Sequence, residues 1–173
     1  MDALTAIHAR RSVRKFRSNA VKRDDLKRMV AAAIDAPSGC NAQLRQYVVV
    51  DDPGVMDKLR PFSHALETAP AGVVLVVDPK PTRFGEFWVQ DASAAMQNML
   101  LAAQALGYGA CWVEGAIRRH EKEIAELLGV PEPLRVWSVM AVGRPAERPE
   151  RPEKSDLAEA MHINAFGRRE ERK

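Results

Sequence analysis

The sequence predicts one α/β (α+β) domain, residues 1–173, in which helices flank a mixed central sheet. Three observations predict this class. Segments with helical periodicity alternate with short β-branched segments, and no internal repeat interrupts them. The chain has 173 residues, 46% of them hydrophobic, which is enough for one compact core and excludes a disordered or fibrous chain.

Periodicity and turn residues define the elements of the first half of the chain. Leu26, Met29 and Ala33 recur at helical spacing, and Pro37 ends that helix because proline disfavours a helical predecessor. Residues 72–77 are apolar and mostly β-branched, which predicts a central strand with both faces covered. The predicted elements are a helix over 3–9, a helix over 26–34, a strand over 47–50, a helix near 54–60 and a strand over 72–77.

The longest predicted helix covers residues 84–106. It is apolar and rich in alanine on most of its surface, which suits packing against the sheet or against its copy in a dimer. Gly107 and Gly109 follow this helix and precede a strand, the reverse of a dinucleotide-binding fingerprint, so a Rossmann domain is excluded. The remaining elements are a strand over 110–113, an amphipathic helix over 118–128, a strand over 136–142, a proline-rich extended arm over 144–154 and a short helix over 155–161.

Positive charge is concentrated near the N-terminus. The formal net charge is +3, whereas residues 1–30 alone carry nine Lys or Arg against three acidic residues. In an extended segment Arg10, Ser12 and Arg14 can all face one phosphate. A solvated basic surface is the alternative, and nucleic acid is a weaker one because Phe16 alone is no stacking platform.

Self-contained catalytic motifs are absent from the sequence. It contains no nucleophile elbow, P-loop or HExxH zinc motif, so we expect a bound cofactor to supply the chemistry. Cys40 and Cys111 are too few for a disulfide framework or a four-thiolate zinc site, and we expect no metal. The longest apolar stretch, residues 71–77, is too short to span a membrane, and no signal-peptide core opens the chain. We therefore expect a cytoplasmic protein without membrane partners.

Five collinear segments resemble the FMN-dependent nitroreductase family, specifically its short members. The segments keep the family's order and spacing over essentially the whole chain. They are residues 10–16 (RRSVRKF), 36–43 (APSGCNAQ), 90–103 (QDASAAMQNMLLAA), 107–112 (GYGACW) and 161–166 (MHINAF).

The resemblance implies an FMN site near the N-terminus. By position, Arg10 and Ser12 would bind the FMN phosphate, and Arg11 would add a backbone or side-chain contact. Arg14 would lie at the pyrimidine edge of the flavin, where a fixed cation stabilises the negative charge of the reduced ring. The resemblance also implies a homodimer with FMN at the subunit interface.

Other implied cofactor contacts come from later segments. The backbone N–H at Glu114-Gly115 would approach flavin N5, and Lys154 would close on the phosphate, with Arg144 or Arg151 as substitutes. A further loop would reach the flavin of the partner subunit, and the arm of residues 144–173 would wrap that partner. The residues of this loop that match the family are Pro37, Ser38, Gly39, Asn41 and Gln43.

The chain departs from the family pattern at two places. Leu44 and Arg45 stand where the family usually has proline and tryptophan, so the wall that this tryptophan supplies is missing. The segment between residues 77 and 90 lacks the long insertions of larger members, and its aromatic residues are the candidate substrate contacts. These are Phe84, Phe87 and Trp88, while His64 lies near the family's further ring-binding positions.

The implied activity is hydride transfer from NADH or NADPH through flavin N5 to a nitroaromatic, quinone or similar small acceptor. The flavin carries this chemistry, so no catalytic side chain is assigned. Two alternatives stay open: a reductive dehalogenase or flavin-fragmenting member of the same superfamily, and a flavin-binding module without turnover.

Overall fold

The computed structural model describes residues 1–169. Within this range the chain forms seven α-helices and four β-strands, close to the predicted order. In chain order they are α1 (Ala3–Ala9), α2 (Arg23–Ile34), β1 (Arg45–Val50), α3 (Pro53–Leu59), β2 (Ala71–Val77), α4 (Trp88–Ala105), β3 (Gly109–Val113), α5 (Gly115–Arg119), α6 (Glu121–Leu128), β4 (Arg135–Gly143) and α7 (Leu157–Ala160).

The four strands form one sheet in the order β1-β2-β4-β3. Each neighbouring pair is antiparallel, and a bulge between Leu75 and Val76 shifts the register of β2 against β4. The expected mixed character is limited, in the part of the chain described, to one isolated parallel bridge between Ser12 and Ala110. The fold is therefore α+β.

Helices cover both faces of the sheet, which explains why β2 is apolar at every position. Val73, Leu75 and Val77 point into a core shared with α2 and α4. Val74 and Val76 point into a second core shared with α3, α5 and α6. The prediction that β2 is central and covered on both faces is confirmed, because all seven of its residues are buried.

Two predicted helices have different bounds in the structure. The predicted helix over 84–106 begins only at Trp88, because residues 82–85 form a tight turn in which Gly85 has φ 116°. The predicted helix over 118–128 is divided into α5 and α6 at His120, whose φ of −119° lies outside the helical range. The His120 ring packs against Phe62, with 5.0 Å between ring centroids.

None of the helices within residues 1–169 is long and apolar enough to cross a membrane.

Candidate functional site

The basic segment, residues 10–17, leaves α1 and runs along the edge of the sheet beside β3. Ser12 pairs with Ala110, and the Val13 N–H donates to the Ala110 carbonyl at 3.0 Å. Val13 is buried against Gly109, where a Cβ would lie 2.9 Å from the Val13 side chain. Glycine at position 109 therefore lets the basic segment lie directly on the sheet.

The beginning of the C-terminal arm fastens the basic segment from its other side. One carboxylate oxygen of Glu147 accepts from the N–H groups of Arg14 and Lys15, at 2.8 and 3.2 Å. The Phe16 N–H donates to the Thr68 hydroxyl at 3.0 Å. The sequence gives no signal for Glu147 or Thr68, because neither residue belongs to a motif. Both accept hydrogen bonds from backbone N–H groups that lie far away in the chain.

A cleft of about 490 Å³ opens between the basic segment and the arm. One wall contains the four N-terminal residues predicted to contact FMN, and the other contains Arg151 and Lys154. Arg11 is partly used inside the chain, because its guanidinium donates to the His8 and Arg10 carbonyls, each at 2.8 Å. The four residues of the first wall are Arg10, Arg11, Ser12 and Arg14.

Arg144 does not line this cleft. Its guanidinium donates to the Gly107 carbonyl at 2.9 Å and lies 4.3 Å from the centre of the Tyr108 ring. Of the three cations considered for closing on a phosphate, Lys154 and Arg151 thus lie at the cleft and Arg144 lies elsewhere.

The positive field of the cleft extends to the strand behind it. Burial raises the pKa of the Cys111 thiol, and the charges of Arg14 and Arg10 act in the opposite direction. Arg14 also lines a neighbouring cleft of about 600 Å³, which contains His64 and Glu67. Arg14 therefore stands between two adjoining spaces.

Residues 37–43, called the strained loop below, adopt an unusual backbone conformation. Cys40, Asn41 and Gln43 have φ values of 54°, 54° and 52°, a left-handed region that non-glycine residues rarely enter. Each such residue costs about 1–3 kcal/mol and persists only where its surroundings hold it, and such residues are frequent at ligand sites. The Gln43 N–H donates to the Ser38 hydroxyl at 3.1 Å, and the Gln43 side chain donates to Asn41 at 3.1 Å.

The strained loop is anchored to the first turn of α4. The Gly39 N–H donates to the carboxylate of Asp91 at 2.8 Å, and Asp91 is only 5% exposed. A Cβ at position 39 would lie 2.6 Å from Phe87, so Gly39 permits this close approach. Arg45 adds a second anchor through hydrogen bonds to the Ala36 and Pro37 carbonyls. The signal for Asp91 was present in the sequence as the only acid of a long apolar helix.

Within one chain the strained loop and the cleft lie at opposite ends of α4. The loop contacts Asp91 at the start of this helix, whereas the basic segment lies beside Gln104 near its end. Thirteen residues of helix separate these two positions by about 20 Å. One chain therefore does not bring Asn41 next to Arg10.

The predicted N5 contact lies at the far end of β3. Four residues of strand, about 13 Å, lead from Ala110 beside Ser12 to Glu114. A Cβ added at Gly115 would meet no heavy atom within 4 Å, so the space beside this residue is open. A ligand anchored by a phosphate at the cleft could extend along this edge towards Gly115.

The three predicted substrate residues have different surroundings. Phe84 is 67% exposed in the 82–85 turn, and the Arg83 guanidinium lies 4.6 Å from its ring centre. Phe87 packs against Gly39. Trp88 packs edge-on against Trp137, with 4.8 Å between centroids. Of the three, only Phe84 offers a free aromatic face.

The cleft lies along one edge of an antiparallel sheet and presents the donors that a phosphate-bearing ligand needs. Within residues 1–169 no group of three or more His, Cys, Asp or Glu side chains is arranged to hold a metal ion. The donors at the cleft, four arginines, a lysine and a hydroxyl, fit the single terminal phosphate of FMN.

Comparison with known proteins gives the same class. The profile of the Nitroreductase family matches residues 7–70 and 62–144. A relative from Archaeoglobus fulgidus, provisionally named NADH dehydrogenase/NAD(P)H nitroreductase, is 38% identical over 152 residues, which are 84% of this chain and 87% of that protein. An FMN-dependent nitroreductase structure from Clostridium difficile matches at TM-score 0.81 and 28% identity, over 94% of this chain and 99% of that one. The NADPH:FMN oxidoreductase of Vibrio harveyi, solved with NAD+, matches at TM-score 0.83 and 26% identity, over 95% and 77%.

The chain belongs to the Nitroreductase family. The resemblance seen in its five sequence segments is thereby confirmed, as are the predicted fold class and the assignment as an oxidoreductase. The predicted cofactors, FMN with NADH or NADPH as electron donor, are confirmed as well.

Proposed function

We propose that this protein transfers hydride from NADH or NADPH to a nitroaromatic, quinone or similar small acceptor, with FMN held at the cleft. The observation that carries the proposal is the cleft itself, where Arg10, Ser12 and Lys154 present the donors that a monophosphate ester needs. When bound, FMN supplies the redox chemistry by accepting and releasing hydride at N5. The protein groups bind and orient FMN and stabilise the negative charge of its reduced ring.

Arg14 has a separate role from the phosphate-binding residues. It lines both the cleft and the adjoining 600 Å³ space, so it suits the pyrimidine edge of a ring whose phosphate lies in the cleft. A fixed cation there stabilises negative charge on the reduced ring. Glu147 holds the backbone of Arg14 in place, and the open space beside Gly115 suits an approach of its N–H to N5.

The second half of the site comes from another copy of the chain. Asn41 and Gln43 belong to the loop at the start of α4, whereas the cleft of their own chain lies near its end, about 20 Å further along the helix. A homodimer can bring this loop to the partner's cleft. Pro37, Ser38 and Gly39 belong to the same loop and accompany them.

Exposed apolar side chains support the homodimer. On α1 Leu4 is 68% exposed and Ile7 49%, and Ile34 at the end of α2 is 55% exposed. In the arm Leu157 is 72% and Phe166 93% exposed. A second copy would cover these surfaces, which supports an arm that wraps the partner and one functional domain per chain.

Phe84 supports an aromatic acceptor. The 82–85 turn that carries Phe84 contacts the strained loop, since the Cys40 Sγ is 3.8 Å from the Thr82 hydroxyl. Aromatic rings stack on an exposed aromatic side chain of this kind. We place the reaction in the cytoplasm, where NADH and NADPH are available.

Reconstitution with FMN tests the proposal. Purified protein is expected to be yellow and to release FMN, not FAD, on denaturation. Anaerobic NADH or NADPH should bleach the flavin absorbance, and a nitroaromatic or a quinone should restore it. A protein that takes up no FMN contradicts the proposal, and one that binds FMN without NAD(P)H oxidation is a binding module.

A further inference from the structure

Arg45 makes an unusual set of contacts at the start of β1. Its guanidinium donates to three backbone carbonyls: Ala36 at 2.8 Å, Asp91 at 3.0 Å and Pro37 at 3.2 Å. The Ala36 carbonyl directly precedes the strained loop, the Pro37 carbonyl opens it, and the Asp91 carbonyl belongs to the first turn of α4. One side chain therefore ties the strand, the loop and the helix together.

Asp91 completes this arrangement from the helix side. Its buried carboxylate accepts the Gly39 N–H at 2.8 Å, inside the loop that Arg45 holds at its entrance. A carboxylate in the first turn of a helix is favoured by the helix dipole. The two residues act on one loop through different atoms.

The strained loop needs such anchors. Its three left-handed residues favour other backbone conformations when they are released. The hydrogen bonds from Gln43 to Ser38 and Asn41 join loop residues only to each other. Outside the loop, Cys40 reaches Thr82 only through a long contact of 3.8 Å, so Arg45 and Asp91 supply the strong side-chain hydrogen bonds that tie the loop to the rest of the chain.

We propose that Arg45 and Asp91 are positioning residues that keep the strained loop in the conformation required at the partner's flavin site. This inference rests on the proposed function, because it assigns a purpose to the loop's conformation. If only a fraction of the loops is correctly placed, the apparent Kd for FMN rises by the inverse of that fraction. Arg45 thus has a function different from that of the aromatic wall usual at its position.

Matched variants separate positioning from general stability. Arg45→Gln removes the guanidinium, Asp91→Ala removes the acceptor of the Gly39 N–H, and Asp91→Asn keeps an oxygen that can still accept it. Arg23→Gln is the control, since Arg23 also donates two hydrogen bonds, to Asp51 beyond the other end of β1. All proteins are compared as full chains by FMN titration and by amide hydrogen exchange.

We expect Arg45→Gln and Asp91→Ala to raise the Kd for FMN tenfold or more and to speed exchange of the Gly39 and Gln43 amides, while exchange in β2 and β4 stays unchanged. Asp91→Asn should stay within about threefold of the wild type. Arg23→Gln should change neither quantity. Wild-type FMN affinity and wild-type loop exchange in the first two variants would overturn the inference.

Three further outcomes decide between the alternatives. If Arg45→Gln does not fold, Asp91→Ala carries the test alone, because it removes a single side chain beneath the loop. An equal loss in Asp91→Asn and Asp91→Ala would contradict the positioning role of this hydrogen bond. If the wild type takes up no FMN, the proposed function fails, whereas the exchange comparison still decides whether the two residues hold the loop.

Discussion

Replacement of Arg10 by alanine tests the cleft directly. Arg10 is half-buried in the cleft wall, and its position is fixed by the pairing of Ser12 with β3. A hydrogen bond to a charged group contributes about 1.5–3 kcal/mol, so losing one contact to a phosphate should weaken FMN binding by about 10-fold to 150-fold. The fold should persist, because the Arg10 side chain is not part of either core.

Arg11→Ala is the matched control for this experiment. Its guanidinium already donates to the His8 and Arg10 carbonyls, so we expect a loss of less than about threefold. Fluorescence titration of apoprotein with FMN gives both constants, and thermal melting checks that both variants fold. Unchanged affinity in Arg10→Ala, or a larger loss in Arg11→Ala, would refute the assignment of the phosphate to this wall.

Three other predictions concern the arm, the acceptor and an ion pair outside the site. Lys154→Ala should raise the Kd for FMN about tenfold, whereas Arg144→Ala should leave it within threefold, because of these two residues only Lys154 lines the cleft. A larger loss in Arg144→Ala than in Lys154→Ala, measured by titration, would place the phosphate nearer to Arg144. Phe84→Ala should raise KM for a nitroaromatic or quinone acceptor several-fold without changing the Kd for FMN, and an unchanged KM would remove Phe84 from the acceptor site. The hydrogen bond from Arg23 holds the pKa of Asp51 below its ordinary value of 3.8, so this pair stabilises the fold above that pH and stops doing so as the pH falls through the lowered value. The melting temperature of Arg23→Gln should therefore lie below that of the wild type at pH 7 and approach it in strong acid; a gap that is constant with pH would contradict the coupling.

Local patterns predicted most of the fold. Hydrophobic periodicity predicts which face of an element is buried. It succeeded for the helical spacing of Leu26, Met29 and Ala33 and for the continuous apolar sequence of β2, because these residues are buried in the core. The bounds of α4 were less predictable, because the turn before Trp88 depends on hydrogen bonds between Thr82 and Gly85. The break at His120 likewise depends on packing against Phe62, which lies 58 residues earlier in the chain.

The candidate site was predictable where its residues form a motif. Arg10, Ser12 and Arg14 alternate along an extended segment, and the structure places all three at the cleft. Arg45 and Asp91 were not predicted to hold the same loop, because their hydrogen bonds join side chains to backbone atoms of residues far apart in the chain. No periodicity records such contacts, since they arise only when α4, β1 and the strained loop pack together.

If each flavin site draws on two chains, as we propose, refolding of mixed variants tests this shared site most directly. Arg10→Ala damages the cleft, whereas Asn41→Asp damages the strained loop and keeps a residue that tolerates a left-handed backbone. Unfolded together and refolded, the two variants should form mixed dimers in which one site has an intact cleft and an intact loop, so about a quarter of all sites should regain wild-type FMN affinity. No recovery in mixed dimers isolated by two different tags, or a flavin-loaded active monomer in sedimentation, would contradict the claim.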